Sequence, residues 1–472
     1  MSRILMVSSE AAPFAKTGGL ADVVGALPAA LEGLGHQVSV LLPRYRATFG
    51  RAVRRVMEPF PIQLGPFAWR PSVYTTANES PFYFLDLPDF YDRDGLYGDR
   101  LGDFGDNDLR FGMLSLAAFE FARRTFRPDI IHCHDWQAGL VPAYLKIYLA
   151  NDPTFLRTKT VETIHNLGYQ GLFPRSSLAR LGLPNWAFRP DLLEFYGNMS
   201  LLKAGLVYAD ALSTVSPRYA QEIQMPDQGF GLDGLLRARS HQLYGILNGV
   251  EYRKWNPETD PNIAATFSAD DLSGKLECKR ALLAEFGLAD APLDRPLVGI
   301  VSRLTGQKGA DLIAEAAPAI FREDVYMVVL GSGESYYENM FRSIAAANPG
   351  RVSVYFGYND GLAHRIEAGS DIFLMPSRYE PCGLNQIYSL RYGAIPIVRA
   401  TGGLDDTIDE NTGFKFWEYS AYALLLAFEE CLRAWADRDR WTAMMRAGMS
   451  RDFSWMASAV QYDAMYQALV NP

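Results

Sequence analysis

The chain has 472 residues, a length that suits two domains better than one compact core. Its formal net charge of −9 and the absence of a basic tract argue against a nucleic-acid or anionic-membrane partner. No apolar run is long enough to span a bilayer, and the four cysteines lack the paired spacing of a disulfide framework or a zinc ribbon. Because the first predicted strand starts almost at the initiator Met, we expect no leader peptide and a cytoplasmic protein.

Short apolar runs alternate with segments of helical periodicity, which is the pattern of βαβ units and predicts an α/β fold with two parallel sheets. The predicted strands are residues 4–7, 38–42, 82–85, 129–132, 160–164 and 211–214 in the first half, and 243–247, 297–301, 325–330, 352–356, 371–375 and 395–398 in the second. We predict a first domain at residues 1–242, a second at 243–455, and a terminal helix at 456–472 that packs back on the first domain.

The first polar loop of the chain, residues 16–19, follows a predicted strand and precedes a helix with one apolar face. Gly18 and Gly19 let a ligand approach the backbone, and free N–H groups beside the Lys16 ammonium suit a phosphate. The loop matches neither a Walker loop nor a full dinucleotide fingerprint, so a glycine turn with a solvated lysine is the alternative. Residues 401–404 repeat the Thr-Gly-Gly-Leu pattern, which suggests that the two halves share one architecture.

Two stretches could hold a metal ion by their residue types alone. His132 and His134 lie at i and i+2 on a predicted strand end, but this spacing does not bracket a third ligand. The Asp-x-Asp tripeptides at 92–94 and 106–108 match a metal-binding pattern of some sugar transferases, but they lie in a Gly/Asp-rich stretch with no strand directly before them. We therefore predict no metal site and interpret these tripeptides as loop.

Polar side chains follow two other strands of the first half. Asp135 and Trp136 come just past the end of the strand at 129–132 and are placed to touch a polar ligand. His165, beside Asn166, follows the next strand and could donate to a sugar hydroxyl or to charge that develops at a reacting centre. A buried histidine bonded to a carbonyl is the alternative.

The second half places charges beyond two strand ends. Arg303 and Lys308 follow the strand at 297–301 in a glycine-bent loop that could grip a diphosphate, or could simply be solvated. Glu380 follows the strand at 371–375 and precedes Pro381, which reads as the first residue of a helix. A carboxylate at that point could bind a ligand or only complement the helix dipole.

Together these stretches resemble the bacterial glycogen synthase and plant starch synthase family. The similarity extends over essentially the whole chain and is carried by Lys16-Thr17-Gly18-Gly19-Leu20, Gly95-Leu96-Tyr97-Gly98, His134-Asp135-Trp136, residues 165–171, residues 229–234, Leu247-Asn248-Gly249, Arg303 with Lys308, residues 380–384 and residues 401–404.

The resemblance implies a GT-B glycosyltransferase, with two facing Rossmann-like domains, a deep interdomain cleft and no metal or other cofactor. It implies transfer of glucose from ADP-glucose to the non-reducing end of an α-1,4-glucan with retention of configuration. The implied catalytic residues are Lys16, His165, Arg303, Lys308 and Glu380. The implied donor-binding residues are Gly18, Gly19, Asp22, Asn248, Tyr358, Cys382, Gly383, Leu384, Thr401 and Gly402. Residues next to the acceptor or the transferred sugar are Tyr97, Asp135, Trp136 and Asn166.

The chain departs from the wider relatives in two places. A second glutamate often follows the first by eight residues there, but Tyr388 occupies this position, as in starch and glycogen synthases. Glu251 replaces the usual aspartate after Asn-Gly-Val. The alternatives are a transferase with another nucleotide sugar or acceptor, a glucan-binding protein without catalysis, and a metal hydrolase built on His132 and His134.

Overall fold

The structure is a computed structural model that describes residues 1–77 and 81–471. The chain forms two compact units, the first made of Met1–Val215, Ala220–Gly249 and Trp455–Pro472, and the second of Ser216–Tyr219 and Val250–Ser454. The chain passes between them at Gly249 and Val250 rather than at residues 242 and 243. The reason is that the strand predicted at 243–247 pairs with the sheet of the first unit.

The first unit is built on a mixed sheet with short hairpins around it. Its strands are β1 (Arg3–Val7), β2 (Gln37–Pro43), β3 (Val53–Met57), β4 (Ile62–Leu64), β5 (Phe67–Trp69), β6 (Ser72–Thr76), β7 (Phe82–Asp86), β8 (Gly98–Asp99), β9 (Gly102–Asp103), β10 (Ile130–His134), β11 (Lys159–Ile164), β12 (Leu172–Pro174), β13 (Glu194–Phe195), β14 (Asn198–Ser200), β15 (Ala211–Thr214) and β16 (Leu243–Gly245).

The main sheet has the order β16-β15-β11-β10-β1-β2-β7-β6-β3 within the described residues, and only β6 and β3 run antiparallel to their neighbours. Strand β1 is central, and residues 4–7 are fully buried because both faces of a parallel sheet are covered by helices. The chain moves to one side of β1 through β2 and to the other through β10. The carboxyl ends of β1 and β10 therefore form a switch point, where open α/β sheets bind ligands.

The helices before Gly249 are α1 (Gly19–Gly33), α2 (Pro88–Tyr91), α3 (Asn107–Phe121), α4 (Asp135–Ala138), α5 (Leu140–Tyr148), α6 (Ser177–Arg180), α7 (Leu201–Tyr208), α8 (Pro217–Glu222) and α9 (Asp233–Ala238). The terminal helix, which is numbered α18 (Trp455–Val470), packs on α1. Tyr462 and Tyr466 are buried in this contact, and the Tyr466 hydroxyl lies 2.7 Å from His132 Nδ1. The last residue of the predicted helix range, Pro472, lies outside the described residues.

The second unit contains a parallel sheet in the order β19-β18-β17-β20-β21-β22, as far as the described chain extends. Its strands are β17 (Leu297–Val301), β18 (Tyr326–Gly331), β19 (Val352–Phe356), β20 (Ile372–Met375), β21 (Ile395–Arg399) and β22 (Phe414–Phe416). Its helices are α10 (Ser273–Glu285), α11 (Ala310–Ile320), α12 (Ser335–Ala347), α13 (Asp360–Gly369), α14 (Asn385–Arg391), α15 (Gly402–Thr407), α16 (Ala421–Ala436) and α17 (Arg438–Met449). The switch point here lies between β17 and β20.

The predicted fold class is confirmed, since each unit has the order of a doubly wound α/β domain. Within residues 1–77 and 81–471, none of the helices combines the length and the apolar character that a bilayer span requires.

Candidate active site

Each unit carries most of its predicted site residues on the loops at its own switch point. In the first unit these loops follow β1, β10 and β11, and in the second they follow β17, β20 and β21. The parallel sheet of each unit therefore determines where the residues on these loops lie.

A buried carboxylate that the sequence analysis missed organises the loop after β1. Glu10 is 3% exposed, and its Oε2 accepts a hydrogen bond of 2.5 Å from the Thr17 N–H and one of 3.4 Å from the Gly18 N–H. Its Oε1 accepts from the Thr17 hydroxyl at 2.6 Å and from the Tyr97 hydroxyl at 2.5 Å. Glu10 comes three residues after a buried strand, which is the same signal that singled out Glu380.

The glycine loop itself is open to ligands. A Cβ built on Gly18 or Gly19 would meet no described atom within 4 Å, and Gly18 has an extended backbone with φ −156°. The fold therefore does not require glycine at these positions, whereas close approach of a ligand to the first N–H groups of α1 would. Lys16 is half-exposed and donates to Asp22 at 2.6 Å, so Asp22 holds the lysine rather than standing free for a ligand.

Tyr97 lies beneath this loop and is partly buried. Its hydroxyl is occupied by Glu10 and by Ser9 Oγ at 2.7 Å, and burial together with the Glu10 carboxylate raises its pKa well above the ordinary value. Its ring packs beside Trp136 at 6.3 Å, and Trp136 in turn is half-buried against Phe111 at 4.9 Å. Tyr97 thus supports the loop, and its predicted contact with sugar stays a prediction.

Asp135 and His165 are brought together at the carboxyl ends of β10 and β11. Asp135 Oδ1 accepts the His165 N–H at 2.7 Å, and the carboxylate also accepts the Asn166 N–H. Asp135 has φ +55°, a left-handed conformation that costs about 1–3 kcal/mol and is concentrated at functional sites. Burial raises the pKa of Asp135 to about 7 and lowers that of His165 to about 3. At neutral pH the imidazole is uncharged, so His165 can contribute hydrogen bonds but not a positive charge.

The histidine pair before Asp135 is a packed structural feature. His132 has both ring nitrogens occupied, by Tyr466 at 2.7 Å and by Thr163 at 2.5 Å, which leaves none for a metal ion. His134 Nδ1 lies 3.0 Å from His165 Nε2, and burial lowers the pKa of all three histidines. One of the two rings donates in this last contact, so the tautomers of His134 and His165 are coupled.

The Asp-x-Asp tripeptides are engaged by arginines. Arg46 pairs with Asp92 and Asp94 at 2.7 Å each, and Arg93 pairs with Asp106 at 2.6 Å. Across the described residues, no group of three or more His, Cys, Asp or Glu side chains is arranged to hold a metal ion. These carboxylates thus serve as anchors of the loops that carry them.

In the second unit, Lys308 and Glu380 form a close ion pair. Lys308 Nζ lies 2.5 Å from Glu380 Oε2, which also accepts the Ser377 hydroxyl at 3.1 Å. The side chains are 19% and 7% exposed, so the pair is shielded but not sealed from solvent. The loop after β17 and the loop after β20 thus present a cation and a carboxylate at one point.

Backbone contacts hold these two loops together. Gly309 has φ +74°, and a Cβ there would lie 2.1 Å from the Pro376 carbonyl oxygen, so only glycine fits. The Arg378 N–H donates to the Gln307 carbonyl at 2.8 Å. The position of Lys308 beside Glu380 is therefore imposed by the backbone and not by the side chains alone.

The second Thr-Gly-Gly stretch has a different role from the first. Gly402 has φ +46°, and a Cβ there would lie 1.9 Å from the Glu380 carbonyl oxygen, while a Cβ on Gly403 would lie 2.0 Å from that of Cys382. Thr401 is fully buried. These residues hold the backbone of Glu380 from behind, and the predicted contact of Thr401 and Gly402 with the donor stays a prediction.

The predicted helix start after Glu380 is wrong. Residues 381–384 form a loop, and α14 begins at Asn385, because Gly383 has φ +70° and a helix cannot pass through that conformation. Cys382 is buried, while Gly383 and Leu384 are partly exposed beside Glu380. The carboxylate therefore lies on a loop and not at a helix N-terminus.

The remaining predicted residues differ in exposure. Arg303 is exposed, and no described residue forms an ion pair or hydrogen bond with its guanidinium. Tyr358 follows the edge strand β19 and is 82% exposed, with only a long 3.4 Å contact from its hydroxyl to Asp360. Asn248, in the first unit, is buried, and its Oδ1 has no partner among the described residues.

Tyr388 stacks on Trp255 at 3.9 Å, so this departure from the wider relatives is part of the core.

Glycosyltransferase family models match both units of the chain. A family model described as the starch synthase catalytic domain matches residues 3–238, and one described as glycosyl transferases group 1 matches residues 288–447. The glycogen synthase of Koribacter versatilis is 51% identical, covering 98% of this chain and 97% of that protein. That of Myxococcus xanthus is 49% identical, covering 99% of each.

Solved structures also resemble this chain over its whole length. The catalytic domain of starch synthase IV from Arabidopsis thaliana, described as bound to ADP and acarbose, matches with a TM-score of 0.91 and 34% identity over the full length of both chains. Sucrose-phosphate synthase from Thermosynechococcus elongatus matches with a TM-score of 0.61 and 19% identity over 99% of each chain, a likeness of fold alone. The chain therefore belongs to the glycogen and starch synthase family of GT-B glycosyltransferases.

Proposed function

We propose that this glycosyltransferase moves glucose from ADP-glucose to the non-reducing end of an α-1,4-glucan with retention of configuration. The bond from glucose C1 to the diphosphate breaks, a bond from C1 to the acceptor O4 forms, and the hydroxyl proton leaves with ADP. The observation that carries the proposal is the whole-chain likeness to a starch synthase described with ADP, the leaving group of this reaction.

The second unit has the charges that a diphosphate leaving group needs. Arg303 offers an unpaired guanidinium fork, and Lys308 has three N–H donors, of which one points to Glu380. The Glu380 carboxylate holds Lys308 in place, so the cation has a fixed position in the loop. Negative charge develops on the diphosphate as the C1–O bond breaks, and fixed cations lower the energy of that state by several kcal/mol.

The first unit supplies neutral and weakly acidic groups for the sugar and the acceptor. Burial lowers the pKa of His165 to about 3, so the imidazole is uncharged at neutral pH, and it raises the pKa of the Asp135 carboxyl to about 7. In this proposal these groups donate to and accept from sugar hydroxyls, and the N–H groups of Gly18 and Gly19 donate to a phosphate oxygen.

The proposal includes catalysis without a metal ion, since Arg303 and Lys308 take the role of a cation on the diphosphate. It also includes a cytoplasmic location, which is supported by Cys133, Cys278, Cys382 and Cys431, all free and buried thiols.

Product analysis tests the reaction. After incubation with ADP-glucose and maltoheptaose, we expect chains extended by single glucose units, with new α-anomeric proton signals and complete digestion by an exo-acting α-1,4-glucanase. β-Anomeric signals, or extended chains that resist this digestion, would overturn retention or the linkage. Extension by UDP-glucose at the same rate would overturn the choice of ADP-glucose.

A further inference from the structure

Two turns on the first unit each place an exposed aromatic residue before a glycine, both in the left-handed conformation. Tyr196 and Gly197 join β13 to β14 with φ +46° and +84°, and Phe230 and Gly231 have φ +48° and +80°. Tyr196 is 81% exposed and Phe230 is 41% exposed. We name this surface the Tyr196–Phe230 patch.

The residue choice in these turns carries an energetic cost. A two-residue hairpin turn with two positive φ values favours Asn-Gly, because asparagine tolerates this conformation and a bulky side chain does not. Tyr196 and Phe230 each accept a strain of about 1–3 kcal/mol although 81% of Tyr196 and 41% of Phe230 remain exposed to solvent. Strained residues with exposed side chains are a sign of ligand contact.

The two turns pack against one another. A Cβ built on Gly231 would lie 3.0 Å from the ring of Phe195 and 3.1 Å from that of Tyr196. Phe195 meets Tyr196 edge to face at 4.7 Å, which supports the Tyr196 ring from one side. The backbone of the Phe230 turn therefore lies directly against the Phe195 and Tyr196 rings.

The patch is continuous with the loop that leaves His165. Five residues after His165, Gln170 is 7% exposed and its Nε2 donates to the Phe230 carbonyl at 2.9 Å. The next residue, Gly171, contacts Trp136, since a Cβ there would lie 2.5 Å from the indole ring. The Phe230 turn is therefore fixed to the same loop as the predicted acceptor residues.

We propose that the Tyr196–Phe230 patch binds the α-1,4-glucan acceptor at sugar units beyond the one that reacts. This rests on the proposed function, which supplies a polymeric substrate much longer than the reacting sugar. The apolar C–H face of a pyranose ring suits an aromatic ring, and exposed Asn198 with partly exposed Glu194 offers polar groups for its hydroxyls. The chemical class of the ligand is thus an α-glucan chain and not a nucleotide.

Tyr196→Asn and Phe230→Asn test the proposal, because asparagine removes the ring and keeps the left-handed turn. Loss of one aromatic contact weakens binding roughly three- to tenfold. We expect the calorimetric Kd for maltoheptaose and the KM for glycogen to rise by about this factor, with kcat and the KM for ADP-glucose unchanged. Tyr196→Phe keeps the ring and is expected to bind as the wild type does, and so is Tyr422→Asn, which removes a tyrosine that is 70% exposed in the second unit.

Binding and transfer separate this proposal from the proposed function. If wild-type transfer is normal and both asparagine variants bind maltoheptaose as the wild type does, the patch proposal is overturned alone. If no transfer from ADP-glucose occurs, the proposed function is overturned, while weaker maltoheptaose binding in the variants would still support the patch. An equal loss in the Tyr422→Asn control would overturn the patch proposal too.

Discussion

Replacing Lys308 by alanine should affect stability and activity in ways that a second substitution can separate. Removing one partner of a buried ion pair costs about 3–5 kcal/mol, because the other charge is left without compensation. Since 19% of the Lys308 side chain is exposed, water reaches Glu380 in part, and we expect about 2–3 kcal/mol. For a unit of this size that is a fall in Tm of roughly 4–12 °C. Turnover should fall about 10³-fold, the loss typical of a removed charge-stabilising donor.

The double variant Lys308→Ala with Glu380→Gln isolates the ion pair. It should recover most of the lost Tm, because no buried carboxylate is left unpaired, but its kcat should stay low because both groups act on the donor. Lys254→Ala is the matched control, since Lys254 forms an ion pair with Asp360 at 2.9 Å with both side chains largely exposed, and we expect at most about 1 kcal/mol there. Thermal unfolding and initial rates measure both quantities. Near-normal turnover of Lys308→Ala in a folded protein would refute the role given to this lysine.

Three further changes give distinct results. Glu10→Gln should lower kcat/KM about tenfold or more and also lower the Tm, because the amide NH2 of glutamine would face a donor where the buried carboxylate accepts one; initial rates that match the wild type would contradict this. Gly402→Ala should unfold the second unit or lower its Tm by many degrees, since its Cβ collides with a carbonyl, whereas Gly18→Ala should leave the Tm unchanged or slightly raised and reduce activity. Full activity of Gly18→Ala would show that no ligand approaches this loop. Asp135→Asn should gain stability relative to the wild type as pH rises from 5 to 8. The folded-state pKa of about 7 lies above the unfolded value of about 4, so the carboxyl's contribution is full at low pH and lost as pH rises through 7. Tm curves of the two proteins that stay parallel over this range would contradict it.

The strand pattern was enough to predict the fold class, because buried parallel strands such as residues 4–7 are continuous apolar runs. The predicted boundary lies before residues 243–245, because the apolar pattern of this strand is the same whichever sheet it joins. Only its partner β15, more than thirty residues away in the chain, places it in the first sheet. Sheet membership is a long-range property that periodicity does not carry.

A charged site residue that follows the end of a strand could be predicted from the sequence. A residue whose role depends on tertiary packing was harder to predict. Lys308 and Glu380 were singled out by their place after strands, and the structure puts them in one ion pair. The similar motifs at Gly18 and Gly402 looked alike in sequence, but one faces open space and the other faces a carbonyl. Glu10 follows a buried strand as Glu380 does, but its hydrogen bonds to a loop seven residues further on are not visible in the sequence.

The central claim is that this family member uses ADP-glucose to extend an α-1,4-glucan without a metal ion. The most direct measurement is the initial rate of label transfer from ADP-[14C]glucose to glycogen in the presence of EDTA, beside the same assay with UDP-[14C]glucose. We expect incorporation from ADP-glucose that EDTA leaves unchanged, and at least about tenfold less from UDP-glucose, which corresponds to about 1.4 kcal/mol in favour of adenine. Transfer that EDTA abolishes, or no transfer from ADP-glucose, would contradict it.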